Sequence, residues 1–394
     1  MEKAEKRFRA ESVAEPLGGI ADGVTDLELA LFFETVETGL SQEQEERIAV
    51  PGLTFPRQEE VLAVHWHPEH VPLNLVSRRM DTMFPARREE LVIPTQHNEI
   101  MEYGDYAGVE VDCYSRGFNQ KVQLLLHFQK ERVKDAPVLK SMLAHTFRYR
   151  ATQLFDLIHA ITLPDAIIVS KAASETGATP DIVDFTRAVV KKIEIMLSEH
   201  WDRVPKEALK NKLLPHYFSR LKPIYGKAPI ERAVNFMRAV KMGVKAGFSL
   251  QYFYRTSEII EEARSLGGGV VIPHPEQFWP ILLAEYDVDG YEVWNPQSRR
   301  YTDFLISVVN EKNRKCGISG KSILIFMGDD THMGEKVLDP ALANPEKALR
   351  EVGVQPAWDD LMIRKKLILA GMDRPRVIAE YKGRLAIDRR EPSP

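Results

Sequence analysis

The chain has 394 residues, 44% hydrophobic and 28% charged, the composition of a globular protein long enough to bury a core without staples. With 53 Lys and Arg against 57 Asp and Glu, the formal net charge of −4 excludes a globally basic nucleic-acid coat and an acidic disordered tail. Two cysteines, Cys113 and Cys316, exclude a disulfide scaffold and a cysteine-rich zinc module and imply a reducing, cytoplasmic setting.

Residues 1–20 read as a loose, charged leader with no apolar targeting region. No apolar run is long enough to span a bilayer, so no membrane partner is expected. Leu27 to about Ile48 reads as an amphipathic helix through Leu29, Leu31, Phe32, Val36 and Leu40, ended by Pro51-Gly52. Four short β-rich runs follow: VLAVHWH at 61–67, LVIPTQH at 91–97, AGVEVDCY at 107–114 and VQLLLHF at 122–128. From about 130 to 255 helical patterning dominates. One helix there is expected to start at Asp181 as N-cap and to bury Ile182, Phe185, Val189, Ile193 and Met196 or Leu197. The strand–helix rhythm then returns. Thr256 or Ser257 can cap a helix that Gly267 ends, VVIPH and GYEVWN read as strands, a helix lies near 301–313, and SILIFMGDDTH is a last strand. This rhythm predicts a parallel α/β barrel, first part 56–128 and second part 256–340. A helical insertion occupies 129–255. Residues 1–55 and 341–394 are extensions, the latter expected to pack on the barrel, and the RREPSP tail to fray.

Each strand ends in, or carries, a residue able to bind a metal. His65 and His67 close the first run, and their i, i+2 spacing puts both imidazoles on one strand face. His97 closes the second, Glu110 lies inside the third, His274 closes VVIPH, and Asp330 and His332 close the last at i, i+2 again. Strand ends of a barrel converge on one mouth, so these residues can meet there. Histidine and carboxylate together suit zinc, manganese or iron. A bridging Glu110 would let two metals sit about 3.5–4 Å apart. A single buried histidine is more often an ordinary core group; two H-x-H or D-x-H pairs at strand ends are hard to assign to chance.

In this order HWH, PTQH, GVEVD, GGGVVIPHP, GYEVWN and GDDTH resemble the PHP superfamily, the polymerase and histidinol phosphatase domain, over roughly 60–128 and 250–340. The resemblance implies a distorted (β/α)7 barrel of TIM-like form with two or three divalent metal ions (Zn, Mn or Fe) at the strand ends, and phosphoesterase activity. It also implies roles: His65, His67, Glu110 and Asp330 on one metal, His97, His274 and Glu110 on a second, and His332 completing the cluster or binding a third. His65, His67, Glu110, His274 and Asp330 would be the catalytic set. Asp330 rather than the adjacent Asp329 keeps the D-x-H spacing. The sequence departs from the family in the first motif, where Leu73 stands at the position of an acid or histidine and His70 is out of register. Gln123 stands where a further histidine is common, with His127 nearby. One metal position is therefore expected to be weakened or absent.

Cations should share the charge of a phosphoryl group. Arg299 and Arg300 follow a strand end and are candidates to bind it; Arg78, Arg79, Arg87, Arg88 and Lys336 are others, and all would equally serve as solvated surface. GGG at 267–269 precedes a strand, so it suits a helix C-terminus rather than a phosphate loop. From Lys206 to Arg255, eleven Lys or Arg stand against two acids, interleaved with Tyr217, Phe218, Tyr225, Phe236, Phe248, Tyr252, Phe253 and Tyr254. That pattern suits a binder of single-stranded nucleic acid or an ordinary basic helical face over an aromatic core. The reading is a metal-dependent hydrolase, most simply a phosphatase or phosphodiesterase of a phosphorylated small molecule. A nuclease acting on nucleotides or short single strands, a hydrolase of a C–N or C–O bond, and a non-catalytic metal-stabilised binding module are its alternatives.

Overall fold

The computed structural model describes residues 23–163, 166–316, 321–340 and 342–387. The leader at 1–20 and the RREPSP tail lie outside them. Two compact units result, Met1–Gly39 with Arg148–Ser249, and Leu40–Phe147 with Leu250–Pro394.

The second unit is a mixed α/β structure with ten strands among its described residues. β1 (Glu60–Ala63) pairs in parallel with β3 (Glu89–Val92), and β2 (Trp66–His67) in parallel with β10 (Thr331–His332). β4 (Met101–Tyr103), β5 (Tyr106–Ser115), β6 (Gln120–Gln129), β7 (Gly269–Ile272), β8 (Gly290–Trp294) and β9 (Leu324–Met327) form one sheet in that order. Its first three junctions are antiparallel and its last two parallel. Of the expected distorted (β/α)7 barrel the α/β content is present; among the described residues the strands form three sheets, with no closed barrel. One of the antiparallel junctions follows from a short connection. A 3-10 turn at Arg116–Phe118, with Asn119 at φ +49°, reverses the chain between β5 and β6. A parallel neighbour would need a crossover of about a dozen residues or more.

β5 shows how this sheet is built. Val109, Val111 and Cys113 enter the apolar core, so the alternating Glu110 and Asp112 must be buried on the opposite face. Helix Arg374–Ala386 supplies Val377, Ile378, Tyr381 and Leu385 to that core. The helix before β7 runs Thr256–Ser265. Its N-cap is Arg255, whose N–H donates to the Glu258 carboxylate, while Thr256 is buried against the Cys113 thiol. Gly267, at φ +69°, closes its C-terminus as the sequence expects. Burial pushes the Cys113 thiol up to about 12, which makes it a packing residue.

The other unit is helical. Its core collects Ile182, Phe185, Val189, Ile193, Met196 and Leu197 from helix Pro180–Glu199, which starts with Thr179 at N-cap and Pro180 at N1, not with Asp181. The single helix read over 27–48 is two, Asp26–Val36 and Gln42–Ala49. Each has its own capping box, Thr25 with Glu28 and Ser41 with Gln44. Tyr217, Phe218, Tyr225 and Phe236 are buried in the helical core. These four rings are thus unavailable as stacking faces for nucleic acid, and of the two readings of the basic segment the aromatic core describes them. Among the described residues no single helix is long and apolar enough to cross a membrane.

Candidate metal centre

The site grows from two tripeptides. His65-Trp66-His67 and Asp330-Thr331-His332 lie side by side, because Trp66 pairs with Thr331 and His67 with His332. The Asp330 N–H donates to the His65 carbonyl at 2.9 Å. Trp66 points away into an apolar cluster with Val71 and Met333, which turns its two histidine neighbours the other way. The His67 ring stacks between His332 and His97, each centroid 4.3 Å away. His97 arrives through a bridge to Glu110 on β5. His274 follows β7.

All seven side chains meet. Glu110 presents one oxygen to two imidazoles on each side: Oε2 lies 2.5 Å from His97 Nδ1 and 3.8 Å from His67 Nε2, and Oε1 lies 3.6 Å from His274 Nε2 and 3.9 Å from His65 Nε2. Asp330 Oδ1 lies 3.3 Å from His332 Nε2, 3.5 Å from His67 Nε2 and 3.8 Å from His65 Nε2. Two donors each about 2.1 Å from a tetrahedral ion stand about 3.4 Å apart. The observed spacings cluster around that separation. Three groups have ligand atoms within 4.8 Å of one another: His67 with His97 and His332, His65 with His67 and Asp330, and His65 with Glu110 and His274.

The donor set fits divalent cations on a second observation. His65 Nε2, both ring nitrogens of His67 and His274 Nδ1 are buried without a hydrogen bond. An unsatisfied buried polar group costs about 1–3 kcal/mol, so several in one cluster call for a shared partner. Burial and the neighbouring His97 and His332 hold His67 well below the usual histidine range, leaving it neutral with a lone pair to give. Burial would raise Glu110 and Asp330, but the surrounding histidines hold both well below the usual carboxylate range. Burial also opposes charge on His65, yet Glu292 overrides it and pushes that imidazole up to about 10. A proton and a cation compete there for the same Nε2 lone pair.

The backbone is strained where the ligands converge. Five non-glycine residues have positive φ among the described residues, and two of them are His274 (+26°) and Asp330 (+47°). Glu69 (+54°), whose carboxylate lies 3.5 Å from His332 Nδ1, and Asn98 (+54°), next to His97, are two more. Such conformations persist only where the surroundings impose them.

Several residues of the site escaped the sequence reading. Glu292 Oε2 accepts the His65 Nδ1–H at 2.6 Å, and Asn295 holds the other oxygen at 2.8 Å. Arg350 and Gln297 both donate to Asp330 Oδ2, at 2.6 and 2.8 Å. Lys347 Nζ stands 3.3 Å from His332 Nε2. Glu292 carried a signal, an acid in the middle of a buried apolar strand. Arg350 carried none.

Other candidates fall elsewhere. The His127 ring is satisfied at both nitrogens: Nε2–H donates to the Val64 carbonyl at 2.9 Å and Nδ1 accepts from the Tyr381 hydroxyl at 2.7 Å. Asp329 turns from the histidines and accepts from the Gly353 N–H at 3.0 Å and Gln355 at 3.1 Å, and burial pushes its carboxyl up to about 6. Leu73 opens helix Leu73–Met83 and packs beside the Trp66 cluster. Arg79 is buried on Glu351, Arg87 bridges Asp81 and Glu90, and Lys336 is held by Glu351. These three are structural cations. Arg300 lies over the Tyr301 ring, 4.6 Å from its centroid. Arg299 lines a cavity of about 420 Å³ with Trp294, Asp329 and Arg350.

No family model and no curated protein matches the chain. Among solved structures it is similar to one from Bifidobacterium adolescentis, itself described provisionally as a metal-dependent phosphoesterase. The likeness covers 79% of this chain and 96% of that one, with 16% identity and a TM-score of 0.37. At that distance it adds nothing to the argument from geometry.

Proposed function

We propose that this protein is a metal-dependent hydrolase of phosphate esters. One observation carries the reading: seven imidazole and carboxylate side chains from distant strand ends share one buried cluster, with a carboxylate, Glu110, that faces histidines on both of its oxygens. By geometry His65, Glu110 and His274 would hold one ion, and His65 or His67 with Asp330 another. His67, His97 and His332 form a third group. Zinc, manganese or iron bound there would supply Lewis acidity, lowering the pKa of water towards neutral and offsetting phosphoryl charge. The motif order that resembles the PHP superfamily supports the same choice.

The chain's own residues then divide the work. Glu292 keeps the His65 proton on Nδ1, so Nε2 faces inward. His97 is the member most open to solvent, its side chain 21% exposed while the others are buried, so a substrate approaches from its side. Arg299, the cation proposed to meet an anionic ester, lines a cavity with Arg350 that none of the seven ligands lines, and Arg350 itself is held on Asp330.

The test is reconstitution of chelator-stripped protein with Zn, Mn or Fe, followed by assay on p-nitrophenyl phosphate and bis(p-nitrophenyl) phosphate. We expect two or three ions per chain, metal-dependent turnover of at least one ester, inhibition by inorganic phosphate, and loss of metal and turnover together in His65→Ala/His67→Ala. Full metal retention in that variant would remove the cluster. Turnover insensitive to phosphate, on a C–N or C–O bond instead, would replace the substrate class.

A further inference from the structure

Asp330 sits in an unusual electrostatic position, with one oxygen facing three histidines and the other fully engaged by the protein. Oδ1 looks into the cluster at 3.3–3.8 Å. Oδ2 accepts from Arg350 Nη1 at 2.6 Å and from Gln297 Nε2 at 2.8 Å. The same Arg350 Nη1 also donates to the Asp330 main-chain carbonyl at 3.0 Å, pinning a residue whose φ is +47°. Arg350 is 8% exposed and lies beyond the motif-bearing region, in the C-terminal extension. Its neighbours grip the same loop: Gly353 and Gln355 hold Asp329, and Glu351 holds Lys336.

We infer that Arg350, aided by Gln297, is a positioning residue that makes Asp330 a one-oxygen metal ligand. A free carboxylate can offer a cation either oxygen or both. Here a guanidinium and an amide saturate Oδ2, and the clamp on the carbonyl fixes the strained backbone that aims Oδ1. A residue orienting a ligand in this way commonly changes metal affinity by about 10–100-fold when removed. The opposite sign is equally definite: if Arg350 acted on the site only as a like charge, removing it would tighten cation binding.

This rests on the metal-binding reading above, and the experiment separates the two. Full-length protein is stripped of metal and titrated with Co²⁺, reading both affinity and the visible d–d bands, in the wild type, Arg350→Met, Arg350→Lys and Gln297→Leu. Circular dichroism of the metal-free proteins checks the fold. We expect Arg350→Met to bind Co²⁺ about 10–100-fold more weakly with altered bands, as Asp330 becomes free to use both oxygens. Arg350→Lys, which restores one donor, should recover part of both readouts. Gln297→Leu changes an exposed residue and should move the bands in the same direction by less; it decides the matter if Arg350→Met does not fold. Wild-type affinity and bands in the folded variants, or tighter binding in Arg350→Met, would overturn the inference while leaving the cluster intact. A wild type that takes up no Co²⁺ would overturn the cluster itself, and the inference with it.

Discussion

Burial makes His127 a sensitive residue although it lies outside the metal centre. Its neutral ring is used at both nitrogens, and burial lowers it to about 4 from an ordinary value near 6.5. The unfolded chain therefore binds a proton between pH 6.5 and 4 that the folded chain refuses. The stability from this residue is complete above about pH 6.5, falls as pH drops to about 4, and levels off below, a loss of about 3 kcal/mol. Replacing His127 with Gln should flatten the dependence of unfolding free energy on pH in that window, by up to about 1.4 kcal/mol per pH unit. Equal slopes in wild type and variant, by urea denaturation from pH 4 to 7, would remove the explanation. At this scale the sequence was most informative where chemistry was periodic. His65/His67 and Asp330/His332 were legible because i, i+2 spacing on a strand has one geometric meaning. Arg350 was illegible because its role is a contact made across the fold, with no pattern in its own neighbourhood.

Element boundaries depended on short-range chemistry that the sequence does state. Thr25-x-x-Glu28 and Ser41-x-x-Gln44 are capping boxes, and reading them would have split the helix at 27–48 into its two parts. The few residues between β5 and β6 likewise left room only for a reversal, so the antiparallel pairing was available before the structure. What was not available is the way Glu28 is used twice. Besides capping its helix, it receives the Lys192 ammonium at 2.7 and 2.9 Å inside the helical unit. Both side chains are almost fully buried. Lys192→Met would leave a buried carboxylate without a counter-charge, and we expect a loss of about 3–5 kcal/mol in chemical denaturation. Glu28→Gln/Lys192→Met should regain a good part of it. A single variant within about 0.5 kcal/mol of wild type would show the pair to be marginal.

The strand-bearing unit and the helical unit each have their own apolar clusters, so one stability value does not describe the whole chain. Every ligand of the candidate centre belongs to the strand-bearing unit. Metal at 100 times its dissociation constant should stabilise that unit by about 2.7 kcal/mol per site. Hydrogen exchange with and without chelator should show this as slower exchange in β5, β7 and the segments around His65 and Asp330. Helix Pro180–Glu199 should be unchanged. A uniform change in both units would mean that the ion acts elsewhere. Apart from the β5–β6 reversal, strand order was the part of the whole least visible in the sequence, since it is fixed by which faces pack and not by local propensity.

The pairing of β2 with β10 has a kinetic consequence. Two strands of two residues each, one near the start of the described chain and one near its end, place His67 beside His332. So short a ladder contributes little by itself, and closing so long a loop is entropically costly. We therefore expect the ligand set to come together late, after the larger sheet. In a refolding experiment, capture of Co²⁺ colour would lag the recovery of secondary structure, and the metal would mark the molecules that have finished folding.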